Sequence, residues 1–587
     1  MKLLVVLLLF AAAAAAVLCS AASAPGPLEC APAGAPCARA FRNVAAKDAK
    51  DENDDEISLG SIFSSIFAFF SDGFKSIFGG ENEEIAQEKE SKAPPKYTRV
   101  LYKNWRLVKA TPRSQDQLDE MYTIEEDFDK VSYWKHPTFR NESCDFIVPP
   151  GMMNVVEDFL RERQISYKIV TNDLQKMIGA ANPKMMKEQR DAIINEVGHT
   201  MTWIRYHRYS DILNYMDHLK RKYPDKVSVI KIGKSTRGLS LRVLKISTGQ
   251  AENVTAKPAI WIDGGTHARE WISPAVATYI MKQLAEYSKT NQLIVNSFDW
   301  YIMPVLNPDG YEYSHTSDRL WRKTRSKNKD DGRALWGDLF NFCGDDVGVD
   351  PNRNWDFQWS KQGASDSPCS DTYAGPKPFS EPEVKAVADF LLDNMVNMKF
   401  FLTLHSFGQM WLLPWSYTSE RVADFDDLMS MGKKATDAIA KFRGTKYKIG
   451  STTKLLYHSA GSADDWAKAV AGIKYAYTVE LPDKGDSGFL LPASEITPTG
   501  KETFAGIKAM TEAYVEKYHP SWMTAARKPK PAQSSATKPK PNPASSQPVN
   551  ASATGAKNKG VVKRGQPIRI VVAKPNANNQ LNKRTGN

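Results

Sequence analysis

The run Ile260-Trp261-Ile262-Asp263-Gly264-Gly265-Thr266-His267-Ala268-Arg269-Glu270-Trp271 constrains this chain most. An apolar, β-type run ends in two glycines, and a His-x-x-Glu pair follows at what reads as the opening of a helix. His267 and Glu270 stand at i and i+3, on one face of such a helix. Imidazole nitrogen and carboxylate oxygen are ordinary zinc ligands, and a catalytic zinc needs a third protein ligand and an open position. Of the nine histidines, His405 is the best third ligand. It ends the apolar run Phe400-Phe401-Leu402-Thr403-Leu404 and so sits at the mouth of a buried strand. His-x-x-Glu alone arises often by chance, so the reading depends on its company.

That company is specific. Leu320-Trp321-Arg322-Lys323-Thr324-Arg325 and Gly348-Val349-Asp350-Pro351-Asn352-Arg353-Asn354-Trp355 supply cations and an amide. Tyr457 precedes Gly461-Ser462-Ala463-Asp464-Asp465-Trp466, and Tyr475-Ala476-Tyr477-Thr478-Val479-Glu480-Leu481 is a strand ending in a carboxylate. With these stretches the chain resembles the zinc carboxypeptidases of the pancreatic A/B type, activation domain included, over roughly residues 97–520. In its specificity positions it resembles the B type. The resemblance implies an α/β fold with a mixed, twisted eight-stranded sheet flanked by helices, preceded by a small α+β activation domain. It implies one Zn2+ per catalytic domain, held by His267, Glu270 and His405. Glu480 matches the general base that takes a proton from the zinc-activated water and passes it to the leaving amine. Arg325 matches the cation that polarises the scissile carbonyl. Asn352 and Arg353 match the clamp on the substrate's terminal carboxylate, and Tyr457 the tyrosine that closes over it. Arg269 and Arg322 fall on secondary subsites, and Cys343–Cys369 matches the family's disulfide.

Each residue type suits its role. Zinc makes a nucleophile of water at neutral pH, a nearby carboxylate completes proton transfer, and a fixed cation lowers the barrier to an oxyanion. A guanidinium recognises a free carboxylate in bidentate fashion. Asp464 decides the substrate. Seven residues after Tyr457, it matches the pocket floor where members that cut apolar ends have an aliphatic residue and members that cut Lys or Arg have Asp. Ser416 matches a second pocket position of the basic-specific type. A buried carboxylate needs a cationic partner, which a substrate Lys or Arg supplies; Asp465 is the adjacent rival. Phe407 stands where the family often has Tyr, and the stretch from Cys343 to Asn352 looks lengthened. The alternatives are a carboxypeptidase for apolar ends and a non-catalytic secreted binding protein on the same fold.

The remainder of the chain sets the context. Residues 1–24 read as a secretory signal, with Lys2, an apolar run from Leu3 to Leu18 and a small-residue cleavage context at Ala22-Ser23-Ala24. The sequons at Asn141, Asn253 and Asn550 agree with a secreted, extracellular protein, and no later stretch is apolar enough to span a bilayer. Residues 25–96 are a low-complexity extension. Within it Ile62, Phe63, Ile66, Phe67, Phe70, Phe74, Ile77 and Phe78 recur at helical spacing. Residues 97–195 read as the activation domain, with strands at Val100–Tyr102, Phe146–Val148 and Ser166–Val170 and helices at Gln115–Glu126 and Met153–Arg163. A polar connecting stretch, 180–208, overlaps its end, with 196–208 the connector proper; there a trypsin-like protease would cut beside Lys187, Arg190, Arg205 or Arg208. Residues 209–520 are the catalytic domain. From Ser521 to Asn587 there are 13 Lys/Arg and no Asp/Glu, which leaves 65 basic against 67 acidic residues elsewhere. The net charge of +11 therefore belongs to a disordered tail suited to acidic polymers, and not to a nucleic-acid-binding fold. Six cysteines in a chain this long exclude a disulfide-stapled miniprotein. Cys30 and Cys37 are candidates for a small loop, Cys144 is left over, and none has zinc-finger spacing.

Overall fold

The computed structural model describes residues 99–128, 130–248, 257–327, 347–394 and 396–527. The signal, the helical pattern at 57–78, Cys30, Cys37 and Cys343, the sequons Asn253 and Asn550 and residues 528–587 of the tail lie outside the described residues; residues 521–527, expected as disordered tail, belong instead to a helix, Pro520–Arg527.

The first domain is an antiparallel sheet of four strands, β1 Arg106–Thr111, β2 Ser132–Lys135, β3 Cys144–Val148 and β4 Ser166–Thr171, in the order β2-β3-β1-β4. Helices α1 Gln115–Tyr122, α2 Ile124–Asp127, α3 Met153–Glu162 and α4 Leu174–Ala181 accompany it. Ser114 and Gln117 form a capping box that starts α1. Val108, Phe146, Val156 and Phe159 close the core under one face. The other face meets the second domain, so all five residues of β3 are buried.

Three local expectations differ from this. Val100–Tyr102 is not a strand: a turn closed by the Trp105 N–H on Tyr102 O ends it, and Val100 N–H donates to Ser317 O at 2.9 Å instead. The helix expected over Gln115–Glu126 breaks at Thr123, whose hydroxyl donates to Glu120 O. The connector contains a helix, α5 Lys187–Val197, ended by Gly198 at φ 78° and carrying no buried residue.

The second domain holds β5 Val227–Lys234, β6 Ser240–Ile246, β7 Ala259–Asp263, β8 Asp299–Met303, β9 Met398–Ser406, β10 Met410–Leu413, β11 Lys448–Ser451 and β12 Tyr475–Leu481. They form one mixed sheet ordered β11-β10-β12-β9-β7-β8-β6-β5. Strands β12, β9, β7 and β8 run parallel at its centre. Parallel strands buried on both faces read as continuous apolar runs, and β7 divides its side chains between two cores. Ile260 and Ile262 pack with α6 Tyr209–Lys222 and α7 Ile272–Ala285; Ala259 and Trp261 pack with α8 Pro382–Asn394 and α9 Ala463–Ala469. The carboxyl ends of the parallel strands thus open on one edge, where ligands bind in such sheets.

Candidate active site

Three neighbouring strands deliver the central groups. After β7, Gly264 and Gly265 make a tight turn; a Cβ on Gly264 would stand 2.9 Å from the Ser273 backbone. His267 and Glu270 follow on the next turn, closed by the Glu270 N–H on His267 O at 3.2 Å. Helix α7 begins only at Ile272, so the i, i+3 juxtaposition comes from a turn before the helix. His405 sits next to last in β9, and Glu480, next to last in β12, is its register partner.

His267, Glu270 and His405 converge and are buried. His267 Nδ1 lies 2.7 Å from Glu270 Oε1, and His405 Nδ1 lies 3.1 Å from Glu270 Oε2 and 3.1 Å from His267 Nδ1. The outer ring nitrogens are already engaged. His267 Nε2 meets Asp350 Oδ1 at 3.1 Å, and His405 Nε2 meets Thr403 Oγ1 at 3.1 Å. Thr403 donates its own hydroxyl to Asp263 Oδ1 at 2.7 Å, so it accepts from His405. Asp350 and Thr403 accordingly hold each Nε2 as the donor and turn both Nδ1 lone pairs inward. Two lone pairs and a carboxylate facing one another at this range repel unless a cation joins them. Ligands at about 2.0–2.1 Å around a tetrahedral zinc stand about 3.3 Å apart, so the set fits that ion. Carboxylate and hydroxyl groups behind the ligand histidines are the usual orienting shell.

Asp350 connects the ligands to the cationic side of the site. Its Oδ2 accepts from Arg322 Nε at 3.2 Å and Nη2 at 2.8 Å, and its Oδ1 accepts the Asn352 N–H at 2.9 Å. Against the upward push of burial, Arg322, His267 and Arg353 hold this carboxyl well below the usual range. Sequence reasoning assigned Asp350 no role, although it stands two residues before Asn352 in a run already singled out. Asn352 is fixed by the Ala463 N–H on its Oδ1 (2.9 Å), and Arg353 by Gly363 O (2.7 Å) and Asn352 O (2.9 Å). Arg269 bonds Asp371 at 3.1 Å and lies over the Phe489 ring. Burial pushes the Glu480 carboxyl up to about 8, against the pull of His405.

The three ligands share a cavity of about 840 Å³ with Glu480, Asn352, Arg269, Arg322, Arg353, Tyr457, Ser416 and Asp464, while Asp350 stands behind its wall. Arg325 is the exception. Its guanidinium lies 3.6 Å from the Tyr313 ring centre and 4.5 Å from that of Trp321, and it does not line the cavity, whereas Arg322 does. The expected polarising role therefore does not fit Arg325. Between Leu320 and Lys327 the chain is irregular, so residues three apart need not share a face. At the far end, Asp464 is 1% exposed and lies 3.3–3.4 Å from Ser416 Oγ. Asp465 turns away and accepts the Ser416 and Tyr417 N–H groups. Burial raises both carboxyls. Cys369 is in a disulfide; Cys343 lies outside the described residues, and Cys144 is a buried free thiol.

The first domain roofs the cavity with residues 132–138. Trp134 packs 5.5 Å from Phe489, within a core that also holds Leu107, Ile147, Leu320 and Phe407. His136 lies edge-on to Tyr457 at 6.1 Å. Burial, with Arg322 adding, pushes its imidazole down to about 4, so it roofs the cavity uncharged at neutral pH.

Comparison with known proteins agrees with this geometry. The chain matches the zinc carboxypeptidase family over residues 212–506 and the carboxypeptidase activation peptide over residues 108–180. It is 47% identical to carboxypeptidase B of Astacus astacus, over 54% of this chain and 100% of that protein. It is 37% identical to carboxypeptidase A2 of Rattus norvegicus, over 71% of this chain and 95% of that protein. Among solved structures, thrombin activatable fibrinolysis inhibitor superposes with TM-score 0.62 at 32% identity, covering 71% of this chain and 100% of the other. Carboxypeptidase A from Helicoverpa armigera gives 0.60 at 27%, covering 71% and 99%. With that ligand set at the edge of that sheet, beneath an activation domain, the chain belongs to the zinc carboxypeptidase family and is a metallocarboxypeptidase that carries its activation peptide.

Proposed function

We propose that this carboxypeptidase releases carboxy-terminal Lys and Arg from peptides outside the cell, and that it is made as a latent precursor. The observation that carries the specificity is Asp464. It is a buried carboxylate on the cavity wall, and among the described residues no Lys, Arg or His forms an ion pair with it. An ionised carboxylate in such a place costs several kcal/mol unless a cation joins it, and a substrate guanidinium or ammonium does so. The reading for apolar ends lacks this support, since an apolar side chain would leave Asp464 uncompensated.

When bound to His267, Glu270 and His405, zinc supplies Lewis acidity and makes water nucleophilic at neutral pH. The chain's own residues do the rest. Asn352 and Arg353 hold the terminal carboxylate, and Tyr457, 39% exposed, is free to close over it. Arg322, not Arg325, polarises the scissile carbonyl and stabilises the developing oxyanion. Glu480 takes a proton from the attacking water and gives it to the departing amine; its raised pKa suits a group that must both accept and donate near neutrality. Residues 132–138 bar peptides until a trypsin-like protease severs the connector.

Secretion rests on the signal-like residues 1–24. No helix among the described residues is long and apolar enough to cross a membrane. The tail, with its 13 Lys/Arg and no acid, would hold the enzyme on acidic polymers; deleting 524–587 should abolish heparin retention. The main test is to cut the precursor with trypsin and offer peptides ending in Arg and in Phe. Release of Arg alone, lost with a zinc chelator and absent before trypsin, is expected. Preferential release of Phe would overturn the specificity, and release of neither by folded, zinc-loaded protein would favour a binding protein on this fold.

A further inference from the structure

Asp145 lies on β3, on the sheet face that meets the second domain. Its partners across the sheet are Lys135 on β2 and Lys109 on β1, and Lys168 on β4 lies beyond Lys109. The turn after β12, which carries Asp483 and Asp486, packs onto this row. The approach is so close that Asp145 Oδ2 occupies the space a Cβ would need at Gly485. Asp145 is fully buried, and among the described residues neither oxygen accepts a hydrogen bond. Its ion pair is long: Lys109 Nζ lies 3.7 Å away and is shared with Asp486 at 3.4 Å. Lys168 also reaches Asp486, at 4.0 Å, and Lys135 has no carboxylate within 4.0 Å among the described residues. Asp483 is committed to the N–H groups of Gly485, Ser487 and Gly488. Lys484 is exposed on the same turn, and Glu142 pairs with Lys448 at the edge of the contact.

The contact sets three lysines of the first domain against two aspartates of the second, an attractive arrangement that an ionised Asp145 opposes. It draws Lys109 away from Asp486 and adds a third, fully buried carboxylate to the contact. Protonated, the same side chain fills the slot without charge. We propose that Asp145 makes the grip of the activation domain on the catalytic domain pH-dependent, tight in acid and loosened toward neutrality. The proposal rests on the reading of the first domain as a cleavable activation domain.

The sign follows from linkage. In the docked state burial pushes the Asp145 carboxyl up to about 6, with Lys109 and Lys135 opposing and Asp483 and Asp486 adding. In the released domain it faces water and returns to the ordinary carboxylate range. The docked state therefore binds the proton more tightly, and the stabilisation is complete below the ordinary range and lost as pH rises through about 6. A difference of about two pKa units corresponds to about 100-fold in docking affinity.

The test uses the full precursor, nicked with trypsin and then quenched. Size-exclusion chromatography at about pH 5 and about pH 7.5, between which about tenfold of that change falls, measures how much activation domain stays with the catalytic domain, without reference to activity. Retention in acid and release near neutrality are expected. Asp145→Asn should retain the domain at both, and Asp486→Asn, which leaves Lys109 to Asp145, should move the release to lower pH. Equal release of the wild-type domain at both pH values, or an unchanged pH dependence in Asp145→Asn and Asp486→Asn, overturns the proposal and leaves the activation-domain reading standing. Failure of trypsin to free any domain or activity takes down both.

Discussion

Asp350 does at the scale of one residue what the site needs in several places. Its two oxygens fix a ligand histidine, the Arg322 guanidinium and the backbone that presents Asn352. Replacing it with Ala should weaken zinc about 10–100-fold, the usual effect of losing an orienting partner. It should also lower kcat, because Arg322 loses its anchor; metal titration with a competing chelator reads the first effect. The adjacent aspartates separate specificity from folding. Asp464→Ile should reduce kcat/KM on Arg-ended peptides by about 10²–10⁴-fold, corresponding to the 3–5 kcal/mol of a broken buried pair, and should improve Phe-ended ones. Asp465→Ala should instead lower Tm, since two backbone N–H groups lose their acceptor. The arginines mark the limit of what spacing reveals. His267, Glu270, His405 and Glu480 were legible because each ends or follows an apolar strand, and strand ends of a parallel sheet share an edge. Arg322 and Arg325 lie in an irregular segment, where sequence distance carries no direction. Arg322→Ala should cost about 10²–10³ in kcat. Arg325→Ala should leave kcat near wild type and lower Tm through lost stacking on Tyr313 and Trp321.

At the scale of elements, α5 bears on activation. Proteases need local unfolding, and a helix with no buried residue gives it most readily. Lys187 and Arg190 are exposed on α5. Arg208 is held by both carboxylate oxygens of Glu312, which also accepts the Tyr209 N–H at 2.8 Å. Arg205 is half-buried beside Tyr206, whose hydroxyl bonds Leu491 O at 2.8 Å. Limited trypsin should therefore cut after Lys187 or Arg190 and spare Arg208, and a Lys187→Gln/Arg190→Gln precursor should stay latent under the same digestion. Sequencing the new amino terminus checks the bond. The polar composition of this stretch gave a connector but not its helix. With no apolar stripe, only capping and propensity favour a helix there, and both are weak signals. The β-rich parts fared better where apolar runs were long, as in β7, β9 and β12, and worse at β1 and β2. Those strands mix buried and half-buried residues without a clean period, and a neighbouring tripeptide such as Val100–Tyr102 imitates them.

For the whole molecule, latency is a property of packing between two folded domains more than of a plug bonded to the metal ligands. Trp134, Leu107 and Ile147 of the first domain share one core with Leu320, Phe407 and Phe489 of the second. The Tyr102 hydroxyl anchors the domain start to Asp318 at 2.7 Å. Phe407 belongs to this core, edge-on to Phe489 at 5.0 Å, and makes apolar contact with the activation domain there. Such cores concentrate binding energy in a few aromatic anchors. Trp134→Ala should consequently raise the activity of the uncut precursor on small peptides by on the order of 10–100-fold, since losing a central anchor costs about 2 kcal/mol or more. Because Trp134 leaves with the activation domain, the fully cut enzyme should match wild type in kcat/KM and Tm. A precursor of unchanged latency would mean that the roof over residues 132–138 holds without its aromatic anchor, and that the polar contacts around Asp318 and Asp486 suffice.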